Sequence, residues 1–344
     1  MATSRDYALI VGINEYDWNI LEPLKGPRND AKNFMEWLLS PTGGKIPKKN
    51  ILPYLLIADH GEEPKSSDVV NRVMKMIKLS RDGETSIGRR LYIFLAGHGV
   101  ASELDEAGLL TADANQLFPL HIVGSRYANL FAGLALFEEV ILIMDCCRFS
   151  GLVSENGSVF NFGGKYDDGG AYKVKRFHAY STGFGRAARE KRFGREVHGI
   201  FSHILMDGLR GGAVDGQGQI TVRNLKRFID KKLSKLMAAG DDQDPDMDGD
   251  DDIVLVDGLP PAKAKVIVDV PLDDNHQVEA LSGIDLQPVE IIPQKLGKTK
   301  TMIWLPVGKL YIIQVRNAQR GIVGQGSCTV EDAEEVLHAT IQAS

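Results

Sequence analysis

The sequence predicts an α/β fold, a mostly parallel sheet with helices on both faces, followed by a smaller, mostly-β module. Three observations carry this. Apolar, β-favouring runs alternate with helical patterns as far as about Val256. The composition then shifts at Gly258-Leu259-Pro260-Pro261, and short strand-like runs separated by Pro, Gly and Asn follow. The 344 residues exceed one ordinary domain, and a 43% hydrophobic content supports a sizeable core and excludes a largely disordered chain. Residues 1–257 and 262–344 are therefore read as two modules.

Residues 7–13 (YALIVGI) read as a buried strand, and residues 29–39 as a helix with Ala31, Phe34, Trp37 and Leu38 on one side. Residues 51–58 (ILPYLLIA) are a second strand, irregular or at an edge because Pro53 has no N–H to give. Ser67 can cap a helix carrying Val69, Val70, Val73, Met74 and Ile77. Residues 91–96 (LYIFLA) form a third strand that runs into Gly97-His98-Gly99. A helix near residues 126–136 precedes a fourth strand at 140–144 (VILIM), which ends in Asp145-Cys146-Cys147. Residues 148–176 hold six glycines and little apolar periodicity, and a loop of that length inside a compact domain is either functional or evidence against the assignment. A strand at 177–181, helices at 198–209 and 221–237, and a strand at 252–256 complete the first module. In the second, strands are expected at 266–270, 289–292, 301–305 and 310–315 and a helix at about 330–341, a β-rich, Ig-like pattern.

The charge is 40 basic against 46 acidic residues, and eight of the acids are Asp within residues 241–252, a run with no Lys or Arg. The rest is close to neutral, so no basic field argues for nucleic acid. Three cysteines, two of them adjacent, make no disulfide framework and fit a reducing compartment. No apolar run approaches a membrane span and residues 1–16 hold no secretory signal, so a cytoplasmic protein is expected.

Two strand ends carry the candidate chemistry. If the third and fourth strands are neighbours, His98 and Cys147 emerge at one sheet edge. There an imidazole can take a thiol proton and later protonate a departing amine. Either residue alone has a plainer reading, since Cys at the end of an apolar strand is usually packing and His between glycines is often a turn residue.

The blocks YALIVGINEY, LKGPRNDA, FLAGHGV, ILIMDCCRFSG and HGIFSHILMDGLRGGA, in that order, resemble a caspase-like cysteine protease over roughly residues 5–256. The 49-residue separation of His98 and Cys147 agrees with the spacing of about 50 in caspases. The cysteine context departs from the animal-caspase pentapeptide QAC-[RQG]-G. Asp-x-Cys-x-x-Ser-Gly is closer to the metacaspase and orthocaspase pattern Asp-x-Cys-His-Ser-Gly, with one residue inserted before Ser150. The resemblance implies His98 as catalytic histidine, Cys147 as nucleophile and an oxyanion hole from the N–H groups of Gly99 and Cys147. Cys146 falls at the variable position. It further implies cleavage after Arg or Lys, through an S1 pocket built on Asp145 and on Asp30 of Gly26-Pro27-Arg28-Asn29-Asp30-Ala31. The pattern departs at Pro27 and Ala96, where a Cys and a Ser often line that pocket, and Asp30 alone also suits a helix N-terminus.

Calcium is a frequent activator in the family that the chain resembles. Of the acidic loop residues expected to bind it, Glu106 has a match, whereas Gly124, Ser125 and Ser154 fall near other expected acids. Asp244-Pro245-Asp246-Met247-Asp248-Gly249 resembles the start of an EF-hand loop, but position 12 is Leu255, and a solvated acidic turn is the simpler reading. No zinc or phosphate-loop spacing occurs, so no metal or cofactor is assigned. The expected partners are a protein or peptide substrate with a basic P1 residue and an activating or regulatory protein, with neither nucleic acid nor membrane. Latency is assigned to the loop at 148–176, with Lys165, Lys173, Lys175 and Arg176 as autoprocessing candidates. Two readings compete with an active protease: a catalytically silent scaffold of the same fold, and an α/β binding protein with Cys147 in its core.

Overall fold

The computed structural model describes residues 5–58, 63–81, 85–101, 106–148, 173–236, 243–270, 276–330, 336–339 and 341–343. It divides into two compact units, Met1–Ala213 with Thr221–Val256, and Val214–Ile220 with Asp257–Ser344. The first is built on a six-stranded sheet. Its strands are β1 (Tyr7–Gly12), β2 (Leu55–Ile57), β3 (Gly88–Gly97), β7 (Phe137–Cys146), β8 (Lys175–Tyr180) and β11 (Asp246–Gly249). Their spatial order is β11-β8-β7-β3-β1-β2, parallel throughout except for β11. A small antiparallel sheet of β4 (Gly99–Val100), β5 (Gly108–Leu110) and β6 (His121–Val123) leaves directly from the end of β3. A hairpin follows β8, made of β9 (Glu190–Phe193) and β10 (Glu196–Gly199).

The central strands read as continuous apolar runs because both faces are covered. Side chains alternate along β3: Leu91, Ile93 and Leu95 join a core with Val69, Val73 and Met76 of α2 (Ser66–Ile77) and Tyr127, Leu130 and Phe131 of α3 (Gly124–Gly133). Tyr92 and Phe94 point the other way, onto Phe34 and Trp37 of α1 (Pro27–Leu39), with Phe34 stacked on Phe94 at 4.7 Å between centroids. Gly12 lets α1 approach β1, since a methyl there would lie 2.6 Å from the Pro27 carbonyl oxygen. Two more helices, α4 (Ile200–Asp207) and α5 (Val222–Leu236), complete the described α-helices of this unit.

Several expectations are corrected. The second strand is only Leu55–Ile57, because Pro53 sits in a 3-10 turn over Leu52–Tyr54 that delays ladder pairing. The acidic run is not a free turn. Asp246–Gly249 pairs antiparallel with β8 and closes that edge of the sheet. The flanking carboxylates meet cations: Asp252 with Lys175 at 2.6 Å, Asp251 with Lys226 at 3.2 Å and Asp246 with Arg148 at 2.8 Å.

The second unit is a two-sheet β structure. One sheet contains Lys263–Asp269, Lys300–Pro306, Gln294–Lys295 and Val336–Ala339. The other contains Pro288–Val289, Gln277–Ser282, Lys309–Arg316, Ile322–Val330 and Gln342–Ala343. Alternate residues of both, among them Val266, Val268, Ile303, Val278, Ile313 and Val315, share one core. The helix expected near the C-terminus is instead a strand: residues 336–339 pair parallel with Lys265–Val268, so an open sheet edge outweighs the local helical pattern. Among the described residues no helix is long and apolar enough to cross a membrane.

Candidate active site

β3 and β7 are parallel neighbours whose register runs out at Gly97↔Cys146, so the next residues, His98 and Cys147, leave the sheet side by side at its carboxyl edge. The two turns touch: a methyl on Gly99 would lie 2.2 Å from the Cys147 carbonyl oxygen and 2.8 Å from the Cys146 sulfur. The backbone of this turn is therefore closed to any side chain at position 99. Leu110 N–H donates to the His98 carbonyl at 2.9 Å, and bonded and non-bonded pairs alternate in an antiparallel ladder. Gly99, opposite Leu109, falls at a non-bonded position, and the ladder leaves its N–H free to face a developing oxyanion.

His98 is fixed from two sides. Its backbone N–H donates to the Tyr16 hydroxyl at 2.7 Å, and the Tyr16 and His98 rings lie 5.0 Å apart. The ring Nε2 is 2.8 Å from the Glu22 carbonyl oxygen. A carbonyl only accepts, so Nε2 carries the proton and Nδ1 of the neutral ring remains an acceptor. The Cys147 thiol is half-buried and donates to the Ala188 carbonyl at 3.8 Å. Burial holds its pKa above the ordinary thiol value, so the resting group is protonated and needs a base. Cys146 points into the core, 1% exposed, and burial raises its thiol further; it is packing.

The two acids of the expected S1 pocket lie beneath this edge, 2% and 6% exposed. Asp30 Oδ1 is 2.7 Å from His198 Nδ1, and its Oδ2 accepts the Gly199 N–H at 2.9 Å. Asp145 Oδ2 accepts the Ser202 N–H at 3.1 Å, at the start of α4. Gly199 passes so close to Asp145 that a methyl there would be 2.1 Å from Oδ2. Burial pushes Asp30 up to about 7, with the His198 hydrogen bond opposing and the Asp145 charge reinforcing the rise. Burial likewise raises Asp145, against hydrogen bonds that pull it down. His198 is raised, first by its hydrogen bond to Asp30.

Glu190 is a third carboxylate at this place, and the sequence patterns missed it. Its Oε1 accepts the Gly26 N–H at 2.7 Å and the Lys25 N–H at 3.1 Å, and its charge is felt by Asp145 and Tyr16. Tyr16, His198 and the carbonyls of Glu22 and Ala188 also went unassigned. Tyr16 and His198 lie inside blocks that carry the resemblance, which was the available signal; a backbone carbonyl leaves none.

Of the autoprocessing candidates, Lys165 lies outside the described residues, as does most of the loop at 148–176. Lys173 is exposed in a turn. Lys175 and Arg176 stand in β8, in register with Glu139 and Val140 of β7, where ladder pairing withholds the backbone from a protease cleft. Glu106 forms a two-point ion pair with Arg126 at 2.9 and 3.2 Å, and its carbonyl accepts from Arg148 at 3.3 Å. Ser154 lies outside the described residues.

The family model described as the caspase domain matches residues 5–249. A curated probable protease from a Desulfuromonadales bacterium is 25% identical over 253 residues, which is 67% of this chain and 30% of the relative. The chain thus spans under a third of that relative's length. Among solved structures, caspase-1 from Spodoptera frugiperda aligns with a TM-score of 0.47 at 14% identity, covering 72% of this chain and 87% of that one. The structure of pro-sf-caspase-1 aligns with a TM-score of 0.45 at 15% identity, over 72% and 88%.

Proposed function

The chain belongs to the caspase-domain family of cysteine peptidases, and from that premise we propose that it is an endopeptidase that cuts after Arg or Lys through His98 and Cys147. The observation that supports the reading is the parallel register of β3 and β7, which brings the chain at His98 and at Cys147 out at one sheet edge, where Asp30 and Asp145 are buried. His98 Nδ1 takes the Cys147 proton as the sulfur attacks the scissile carbonyl. The oxyanion faces the N–H groups of Gly99 and Cys147. The imidazolium then protonates the leaving amine, and water hydrolyses the thioester with the same groups in reverse.

A P1 guanidinium or ammonium is recognised by Asp30 and Asp145, with Glu190 adding negative charge. Arg is the better partner because its planar fork can meet a carboxylate at two points. We assign the chain to the metacaspase-like branch on the same acids and on the Asp-x-Cys pattern. A partner protein and the loop after Cys147 are its proposed controls.

The test uses a peptidyl-Arg chloromethyl ketone and a positional-scanning peptide library. The reagent should label Cys147 stoichiometrically, and the library should select Arg or Lys at P1. Cys147→Ala and His98→Ala should each lose at least about a thousandfold in kcat, while Cys146→Ala keeps most activity. Labelling of Cys146 alone, or selection of P1 Asp, would overturn the assignment. A silent scaffold of the same fold would give neither labelling nor cleavage.

A further inference from the structure

Both S1 acids are held by one short segment. His198 and Gly199 take the two oxygens of Asp30, and Ser202 takes Asp145. Two of these three donors are backbone N–H groups, whose charge never changes. The third is an imidazole, and its second nitrogen, Nε2, lies 3.5 Å from the Glu196 carboxylate. The His198 ring thus stands between two acids, a place built for a cation. It is 6% exposed, so water screens that charge little.

We propose that His198 is a positioning residue of the S1 pocket, holding Asp30 in place as a neutral donor and, when protonated, acting as an internal cation that competes with the P1 side chain. This inference rests on the S1 reading above. Charge is what separates the two states. With neutral His198 an ionised Asp30 is oriented, and its charge is available to a guanidinium. With imidazolium at 2.7 Å, an ionised Asp30 is already satisfied and a protonated one offers no charge, and in both cases the incoming cation meets a like charge.

Other groups set where the change falls. From α1 the ring faces Asp30, and from its own strand Glu196. On β9, Lys191 is its register partner, and Glu190 reaches the same corner at Gly26. Asp145 lies on the far side of Gly199. From α4, the His203 ring is 6.1 Å away, stacked on Phe193 at 3.6 Å and paired with Asp207 at 3.7 Å. The carboxylates favour imidazolium and His203 opposes it, consistent with the raised pKa of His198.

The test compares peptidyl-Arg with peptidyl-citrulline, a neutral isostere of the same shape. Both substrates share the His98–Cys147 chemistry, so the ratio of their kcat/KM values isolates the S1 charge from titration of the nucleophile. In the wild type the Arg-over-citrulline ratio should rise about tenfold or more between pH 5.5 and 8.5. His198→Asn keeps a neutral N–H donor near the Nδ1 position. It should raise the ratio about fivefold at pH 5.5 and leave it unchanged at pH 8.5. His198→Ala, with no donor, should lower the ratio at pH 8.5, where no imidazolium competes. A His198→Asn profile parallel to the wild type overturns the proposal. Asp30→Asn separates the two ideas: if it leaves the ratio untouched, the S1 reading itself fails. If it collapses the ratio while His198→Asn changes nothing, S1 stands and the role of His198 falls.

Discussion

At the scale of single residues, the site sets stability against function, and Asp30 shows how. An ordinary Asp titrates near 3.8, whereas burial pushes this one up to about 7. Between those values the folded chain binds a proton that the unfolded chain has released, so the fold loses stability as pH rises through the window. His198, also raised, contributes with the same sign, its stabilisation present below its unfolded pKa and lost above its folded one. On the S1 reading proposed above, substrate recognition runs the other way, since a P1 cation would need an ionised Asp30. Denaturant unfolding at pH 5 and pH 8 measures the conflict. The wild type should lose about 1–4 kcal/mol across that range relative to Asp30→Asn, which has no carboxylate to ionise. An unchanged difference between the two proteins would show that Asp30 ionises freely in the fold. Tyr16 poses a simpler case. Its hydroxyl accepts the His98 N–H at 2.7 Å and is 3.3 Å from the Ile13 carbonyl, and Tyr16→Phe leaves that N–H without its partner at the catalytic turn. The cost should be about 1–3 kcal/mol in stability, with kcat falling more than KM changes, because the displaced group positions the base rather than the substrate. Equal kcat in the two proteins would show that Tyr16 only fills space.

At the scale of elements, the sheet does the positioning and glycine permits it. β3 and β7 end together because they are parallel and in register, which is why two residues 49 apart in sequence reach one edge. That much is legible in the chain: apolar runs of fixed length, each ending in a glycine-flanked or acidic turn. Helix α1 is legible too, from the spacing of Ala31, Phe34 and Leu38. The hairpin β9–β10 is not. Its pattern EKRF-GR-EVHG carries little apolar periodicity, and among the described residues its strands pair only with each other, so burial leaves a weak imprint. Yet Glu190 and His198 ride on it. The same weakness hid the acidic edge strand β11, where carboxylates stand because cations meet them and not because a core encloses them. Gly199 marks where hairpin meets sheet. Its own φ of −59° suits any residue, so its constraint is space alone. Gly199→Ala would press a methyl to 2.1 Å from Asp145 Oδ2, which forces the carboxylate or β10 to move. A loss of about 1–3 kcal/mol in stability is expected, together with a collapse of Arg-over-citrulline selectivity. Retained selectivity with lowered stability would mean that β10, not Asp145, gives way.

At the scale of the whole molecule, the question is what would restrain the proposed nucleophile, whose strand leads straight into a 24-residue stretch, 149–172, outside the described residues. The chain returns in β8, the neighbour of β7 in the sheet, so the strands that flank that stretch are held to each other by ladder pairing. Proteolysis needs some residues in an extended, unpaired form, which excludes Lys175 and Arg176, whose backbone groups serve β7 and Asp250. Lys165 and Lys173 remain as the sites that a basic-specific enzyme would cut. Cleavage there need not unfold the sheet. Arg148, on the near side, is held by Asp246 at 2.8 Å and by the Arg186 carbonyl at 3.1 Å, and Lys175, on the far side, by Asp252 at 2.6 Å. The two fragments should therefore stay together after cutting. Purified wild type, incubated for a day and followed by intact-mass spectrometry, should yield two pieces of about half the chain each, with cuts after Lys165 or Lys173, while Cys147→Ala stays whole. The nicked protein should still elute as one species in native size exclusion. If cleavage is the switch, Lys165→Gln with Lys173→Gln should remain uncut and slow, and cutting an engineered site in the same stretch with an unrelated protease should restore the rate. An uncut double variant as fast as the nicked wild type would mean that restraint lies outside this segment, in the β unit or in a partner protein.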